Sequence, residues 1–398
     1  MTDQVLLSNA QSVILNTLSK EPEDLSYEAG PSFPILAKTL RQTQSDRSVT
    51  GAPAGQEVEF SITRSYLLRN MAIQSVLTCA TGNQTTPFPG LSLFEYIQLK
   101  SNNKVIMTMS DAYIIARAQD CGYAKSTAIH RRALLLNSTT YAPINTSTAV
   151  TTFTPVFCSF FEDTRNNFDL NFFEQLKLTC KFNTSARNGL SDPWLTATCT
   201  LWTWGYMMSP KDYDLLRAKN QRPNEKLNML TYNSFLEKTV CTAATTTTMN
   251  LFVNYPVFKT FVFVKNNVAT TGLGAMARIN SLSVVVAGVS MYETVPNPVI
   301  KYEQEIEGSA AVGPADLISD LIISRLTESV ICINWGCRPM DRINNSGAFS
   351  FSNVNRPQII VNYTSLTAAN FDVYAVHEYW NILSLDSNNG SVDISVAN

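Results

Sequence analysis

Two histidines, eight cysteines and thirty-two carboxylates are the side chains from which this 398-residue chain could build an active site. A nucleophilic site needs an attacking group, a base and a third group orienting the base, all within hydrogen-bond reach. His130 precedes Arg131 and Arg132 in a stretch without hydrophobic period, and His377 lies in a β-like alternation beside Glu378. A packed or surface imidazole is the expectation at both, and nothing supports a triad. The patterns G-x-S-x-G, H-E-x-x-H, the P-loop and G-x-G-x-x-G are absent, and Gly272-Leu273-Gly274 lacks the third glycine and the strand-to-helix setting that phosphate binding requires. The acid pairs Glu303 and Glu305, and Asp111 and Asp120, fit exposed loop or helix positions. A glycosidase dyad could come from distant strands, but no residue marks one. The cysteines at 79, 121, 158, 180, 199, 241, 332 and 337 contain no C-x-x-C, so no zinc framework is written. Cys79, Cys180 and Cys199 fall in apolar alternation, which favours free thiols in a reducing compartment. The residues therefore predict no catalytic, cofactor-binding or metal-binding site, and a protein that is not an enzyme.

Composition points toward contact instead of chemistry. Thirty basic and thirty-two acidic residues leave a net charge of -2, and charged residues make up 16% of the chain against an ordinary ~25%. Thr, Asn and Ser are abundant, so much of the surface is polar but uncharged. Such a surface is cheap to desolvate, because hydroxyls and amides pair across a contact whereas an unpaired buried charge does not. Broad protein–protein contact is one reading; the preference of β-strands for Thr is the other. Arg64, Arg69, Lys100, Lys104, Arg131, Arg132, Lys177 and Lys181 are scattered without interleaved aromatics, so sequence-specific nucleic-acid binding is not expected. No basic segment leads into an apolar run at the N-terminus, and no 18-residue apolar stretch occurs, which predicts neither secretion nor membrane spanning. The N-x-S/T sequons at Asn83, Asn137, Asn145, Asn183, Asn344, Asn362 and Asn389 are then expected to stay unmodified.

The elements read as β-strands for most of the length. Residues 1–56 form an arm, with a helical apolar pattern at Val5, Leu6, Val13, Ile14 and Leu18 followed by Pro31, Pro34, Gly51, Pro53 and Gly55. That stripe needs a partner: its own domain, another subunit or, least favoured for its few basic residues, a lipid surface. From Val58 the period becomes two, through Val58–Ile62, Met71–Cys79, Leu93–Lys100, Val105–Met109, Val150–Phe161, Leu176–Phe182 and Leu195–Leu201. Leu176, Leu178, Cys180 and Phe182 interleaved with Lys177, Thr179 and Lys181 give one core face and one wet face. Ser209-Pro210 starts a helix that Pro223 ends, a connector at 209–223 between a first β domain at 57–208 and a second at 224–398. The second half carries strands around Tyr255-Pro256, at Ile279–Val289, Val330–Trp335, Ala348–Phe351, Gln358–Tyr363, Val373–His377 and Asn381–Leu385, with a helical pattern at Leu317, Ile318, Leu321, Ile322 and Leu326. Pro256 implies an edge or a bulge. The fold class is all-β: two sandwiches in tandem.

Several segments, in this order, resemble a known family. Phe157–Glu162 with Phe168–Phe182, the junction from Trp202-Thr-Trp-Gly-Tyr through Ser209-Pro-Lys-Asp-Tyr-Asp-Leu-Leu-Arg217, Met249–Val264 with its Asn254-Tyr-Pro256 break, Ile279–Ile306, Arg338-Pro339 with Asn345-Ser-Gly347 and Phe349-Ser-Phe-Ser352, and Val373–Leu383 are similar to the double jelly-roll major capsid proteins of icosahedral double-stranded DNA viruses. That lineage spans nucleocytoplasmic large DNA viruses, virophages, Polinton-like viruses and tailless phages. Asn344-Asn345 stands where the family has Gln-Pro, and the chain is shorter than most eukaryotic-virus relatives. The resemblance implies two eight-stranded jelly rolls with short helices in the connector and loops, and a homotrimer of nearly hexagonal outline that tiles an icosahedral facet. It implies as partners the chain itself, neighbouring capsomers, penton and minor capsid proteins and an internal membrane reached through the arm. It also implies a place in the virion shell, assembled inside the host cell, with no cofactor. A penton or minor capsid protein, or a tandem β-sandwich carbohydrate-binding or adhesion module, is the alternative.

Overall fold

The computed structural model describes residues 37–49, 53–62, 67–78, 89–121, 129, 150–159, 168–169, 173, 175–183, 195–207, 209–211, 214, 226–266, 276–306, 329–336, 347–351, 354, 357–386 and 392–396. The first half contributes β1 (Ala37–Val49), β2 (Glu57–Ser61), β3 (Leu67–Thr78), β4 (Phe94–Ser101), β5 (Lys104–Ser110), β6 (Val150–Pro155), β7 (Phe168–Asp169), β8 (Leu176–Phe182) and β9 (Thr196–Met207). The second contributes β10 (Lys226–Val240), β11 (Thr246–Asn250), β12 (Pro256–Asn266), β13 (Met276–Ala277), β14 (Ile279–Val286), β15 (Val289–Pro296), β16 (Ile331–Asn334), β17 (Phe349–Ser350), β18 (Gln358–Tyr363), β19 (Phe371–Asp386) and β20 (Val392–Val396). Two helices matter here, α1 (Asp111–Gln119) and α2 (Asn297–Ile306).

The strands form four antiparallel sheets, two per half. In the first half β1-β9-β3-β6 faces β2-β8-β4-β5. In the second, β10-β19-β12, extended by β16 on β12, faces β11-β18-β14-β15. The two halves thus repeat one path: β1 pairs with β9 and β2 with β8 in the first, and β10 pairs with β19 and β11 with β18 in the second, where β20 adds to β19 after the path is complete. Each helix follows at once on the strand that ends its four-stranded sheet, α1 after β5 and α2 after β15.

Alternation in the sequence becomes sidedness in the sheet. Leu176, Leu178, Cys180 and Phe182 of β8 are buried, and Lys177 and Lys181 point outward to Glu59 at 2.8 Å and Glu95 at 2.9 Å. Pro256 opens β12, and the register of β12 against β19 shifts between Val257 and Lys259, so the expected bulge is present in a strand that is central. The second half has its own interior, built on Met249, Val262, Val264, Leu282, Val284, Ile359 and Val361. The first core does not stop at its own sandwich. Tyr232, Phe258, Phe261, Phe263, Val376 and Trp380, from the outer face of β10-β19-β12, belong to the same apolar cluster as Phe60, Ile97, Leu99 and Leu178. Nine consecutive residues of β12, Pro256–Val264, are therefore buried. A strand covered on both faces reads as a continuous apolar run, as this one does.

The boundary of the arm moves. Ala37–Val49, inside the stretch taken as arm 1–56, is β1 and pairs with β9 from Ala37↔Met207 to Val49↔Ala197. Its sequence alternates poorly, and register shifts interrupt its pairing between Gln42 and Gln44 and between Gln44 and Arg47, so period-two reasoning passes it over. The same reading omits β10 and β11. Val5, Leu6, Val13, Ile14 and Leu18, the helical pattern at 317–326, Cys79, Cys337 and His130 lie outside the described residues. Within 209–223, Pro210, Lys211 and Asp214 are helical, and 212–213 and 215–223 lie outside the described residues.

Cys121, Cys158, Cys180, Cys199, Cys241 and Cys332 are buried thiols. Burial pushes the Cys199 thiol up to about 11, against the opposing hydrogen bond from Ser75, and holds the Cys180 thiol well above its ordinary range. A thiolate is the reactive form, so native Cys199 should resist iodoacetamide at about pH 8 and react once urea exposes it; rapid labelling of the native chain would contradict this. The unfolded thiol ionises near 9.0 and the folded one near 11. Stability from this group is thus complete below about pH 9 and falls as pH rises toward 11, a loss that urea midpoints across that interval would register. At Gly90, in the helical turn Pro89–Ser92, a Cβ would lie 2.4 Å from the Phe153 carbonyl oxygen and 2.6 Å from Thr152 Oγ1. Gly90→Ala should cost about 1–3 kcal/mol, measured by chemical denaturation.

Candidate functional site

The most elaborate polar cluster joins the two halves. Ser110 caps α1 by accepting the Tyr113 amide at 3.1 Å, and Asp111 Oδ1 accepts the Ala112 amide at 2.7 Å, as an acidic first turn should. Every residue from Ala112 to Gln119 is buried, because the first sandwich packs below the helix and the β10-β19-β12 sheet lies above it. Tyr113, Arg117 and Asp120 meet that sheet. The Lys259 ammonium donates to both Asp120 carboxylate oxygens at 2.8 Å, with side-chain exposures of 0% and 2%. Arg117 Nη1 is 3.5 Å from Asp120 Oδ2, and Arg117 Nε is 3.6 Å from Glu378 Oε1. The Tyr113 hydroxyl donates to Glu378 Oε1 at 2.8 Å. The Arg117 guanidinium lies 5.6 Å from the Phe157 ring centre and the Lys259 ammonium 5.7 Å from that of Phe261, so aromatic faces share the work of solvation. At the margin Lys265 pairs with Asp111 at 3.1 Å, Ser234 Oγ donates to the Thr108 carbonyl at 3.1 Å, and exposed Lys104 meets Asp393 at 2.9 Å.

Two positive and two negative side chains at the centre balance in sign. Removing four charges from water is costly, and the return depends on geometry, so such a cluster acts on orientation more than on net stability. A sliding or rotated sheet would strand Lys259 or Glu378 in an apolar layer. This overturns the expectation for the Asp111 and Asp120 pair: Asp120 is buried and Asp111 is half-buried at the contact. Nothing in the local sequence shows that a second sandwich will cover that helix. Tyr113, Arg117, Lys259 and Glu378 were not singled out. The signal for Lys259 was present, a lone ammonium inside the apolar run Val257–Val264.

His377 is packed, within the interior of the second half. Trp335 Nε1 donates to Thr260 Oγ1 at 2.9 Å, and Thr260 Oγ1 and His377 Nδ1 share a hydrogen bond at 2.8 Å. His377 Nε2 lies 3.6 Å from Glu237 Oε2, and Glu237 Oε1 accepts the Phe252 amide at 2.8 Å. Thr260, His377 and Glu237 are connected as a nucleophile, base and acid would be. Thr260 and His377 are both 0% exposed, so no substrate atom can approach and the thread is structural. Among the described residues that line a 630 Å³ recess, which include Asn250, Phe252, Asn254, Phe351, Pro357 and Gln358, none has a titratable side chain. Among the described residues no group of three His, Cys, Asp or Glu side chains could hold a metal ion, and no helix is long and apolar enough to cross a membrane.

By sequence, no family model and no curated protein matches the chain. By structure it is similar over nearly its whole length to PBCV-1 VP54, as fitted into a reconstruction of the virophage Sputnik: 14% identity, 94% of this chain and 100% of that one, TM-score 0.69. It is similar to the Faustovirus major capsid protein, with 11% identity, 97% and 99% covered and TM-score 0.58, and to the mavirus major capsid protein, with 10% identity, 93% and 92% covered and TM-score 0.54. The fold is the double jelly roll. The repeated strand path is that duplication, and the ionic cluster is the joint between the two jelly rolls.

Cutting one side of the joint should be costly. Asp120→Ala leaves the Lys259 ammonium without its closest carboxylate and should destabilise by about 3–5 kcal/mol, and Asp120→Ala combined with Lys259→Met should recover much of that loss. Urea unfolding of the two single variants and the pair measures the coupling; additive losses would contradict the arrangement.

Proposed function

We propose that this chain is a viral major capsid protein that homotrimerises into nearly hexagonal capsomers tiling the facets of an icosahedral shell. The observation that carries the reading is the duplication. One strand path occurs twice in tandem, so three chains present six similar jelly rolls around a threefold axis. A hexagonal outline packs a flat layer without gaps, and many modest contacts between neighbours then add through multivalency. An obligate trimer contact of this kind buries more than about 2,000 Å²; a surface rich in Thr, Asn and Ser and poor in charge suits such burial. The solved structures of the same fold that span nearly the whole chain include proteins named as the Faustovirus and mavirus major capsid proteins, which supports the same role here and a location in the virion shell.

The apolar stripe Val5, Leu6, Val13, Ile14 and Leu18 is assigned to contacts with neighbouring capsomers, penton or minor capsid proteins, or an internal membrane. A chain built for surface tiling has no need of a reaction centre, and the burial of Thr260 and His377 is consistent with a non-enzymatic role.

In solution the chain should sediment at three times its 44.1 kDa mass and resist dilution into the nanomolar range. A monomer or a pentamer in sedimentation velocity would overturn the capsomer reading, the latter in favour of a vertex protein. Deleting residues 1–36 should leave trimers intact and impair shell formation in co-expression; unaltered shells would remove the arm from assembly.

A further inference from the structure

The joint within the chain suggests the joint between chains. We infer that the outward stripe of α2, Val299, Tyr302 and Ile306, docks on the outer face of the β1-β9-β3-β6 sheet in a second copy of this chain. This rests on the capsomer reading above and specifies its interface.

The fold places α1 and α2 at the same station, each following the edge strand that ends its four-stranded sheet, β5 or β15. Counted from the first helical residue, the side chains of α1 that meet the next jelly roll include the first, third and seventh, Asp111, Tyr113 and Arg117, joined by Asp120 at the C-cap, the tenth position. In α2 the exposed apolar side chains are the third, sixth and tenth, Val299 at 54%, Tyr302 at 65% and Ile306 at 69% exposure. The opposite side of α2 is anchored to its own jelly roll. Ile300 is buried, Asn297 Nδ2 donates to the Ile279 carbonyl at 2.6 Å, Gln304 Nε2 donates to the Cys332 carbonyl at 2.6 Å, and the Lys301 ammonium donates to the Val330 carbonyl. The helix is thus anchored with an apolar stripe facing out, which shares the third and tenth positions with the docking side of its twin.

The receiving surface follows from the same equivalence. α1 covers the outer face of β10-β19-β12, and the corresponding face in the first jelly roll is that of β1-β9-β3-β6. Trp202, Trp204, Phe153, Val76 and Ala72 point out of that sheet and are half-buried, with Trp202 Nε1 donating to Gln74 Oε1 at 2.6 Å. From Asn70 to Thr78 of β3, along β6, and from Thr196 to Trp204 of β9, that face carries no charged residue. The two helices match their two sheets in character. The helix with buried charges meets the sheet that carries Lys259 and Glu378, and the apolar helix fits the uncharged, tryptophan-bearing stretch of β3, β6 and β9, the charges of that sheet lying on β1 and at Arg69. Glu303, the seventh residue of α2 where α1 has Arg117, is turned to its own jelly roll by the Tyr292 hydroxyl at 3.2 Å. A contact of second jelly roll to first is head-to-tail, and such contacts close into a ring of three when each copy is rotated by a third of a turn, as the capsomer reading requires.

Two measurements test this. Val299→Asp with Ile306→Asp, both at solvent-facing positions, should weaken trimers at least about thirtyfold while leaving the circular dichroism spectrum and unfolding midpoint unchanged. Separately, Tyr302→Cys and Trp204→Cys chains, co-assembled, should yield inter-chain cross-links with a short bis-maleimide, and neither variant alone should. If the wild-type chain is a monomer, the capsomer reading fails and this interface with it. If the wild-type chain is a trimer, yet the aspartate variant remains one or the mixed cysteine trimers give no cross-link, the interface assignment alone fails. Should the aspartate variant unfold, the cross-linking result decides.

Discussion

Asp120, Arg117, Lys259 and Glu378 confront one another in a layer that is otherwise aromatic and aliphatic, and the geometry of the chain depends on that confrontation. Apolar packing alone would hold a helix against a sheet in many nearly equal orientations, since dispersion and burial are non-directional. Charges in a low-dielectric layer tolerate no such freedom, because a displaced partner leaves an ion neither hydrated nor paired. The Lys259 ammonium bonded to both Asp120 oxygens, and Glu378 held by Tyr113, therefore fix the angle between the jelly rolls. In the proposed capsomer role, where the outline would have to match neighbours on every side, that angle is the property that matters most.

Duplication with divergence explains the remaining asymmetry. The two jelly rolls share a strand path and the station of a helix, but the first helix is wholly buried and the second is half exposed. An intramolecular contact forms once and is never undone, so it tolerates buried ions whose reward is orientation. A contact made between separate chains must form from hydrated surfaces, and an apolar helix meeting an uncharged sheet avoids the desolvation of ions at that step. The low charge content of the chain acquires a place on the molecule by this route, on the outward face of β3, β6 and β9.

Much of the fold was legible in the sequence where one face is wet. β8, with Leu176, Leu178, Cys180 and Phe182 against Lys177 and Lys181, could be read residue by residue, and Pro256 announced its bulge. Legibility failed for two physical reasons. β1 has few apolar residues and an interrupted register, so pairing with β9 rather than alternation defines it. α1 and the ionic joint depend on contacts across more than a hundred residues of sequence, and an aspartate that ends a helix looks solvated until a second sandwich covers it. Lys259 within Val257–Val264 and Glu378 within Val373–Leu383 were visible as charges in apolar runs; their pairing with Asp120, Arg117 and Tyr113 was not. His377 was readable as packed, though its link to Thr260 required the tertiary structure.

The double burial of β12 has a bearing on how the chain matures. Its outer face, with Phe258, Phe261 and Phe263 beside Trp380, is covered only when α1 of the preceding jelly roll is in place. Synthesis from the N-terminus makes α1 first, so the covering element is ready before the sheet it covers emerges from the ribosome. The reverse order would expose a broad aromatic ledge to every other nascent chain in a crowded cell, and a C-terminal fragment released without its N-terminal companion would carry that ledge bare.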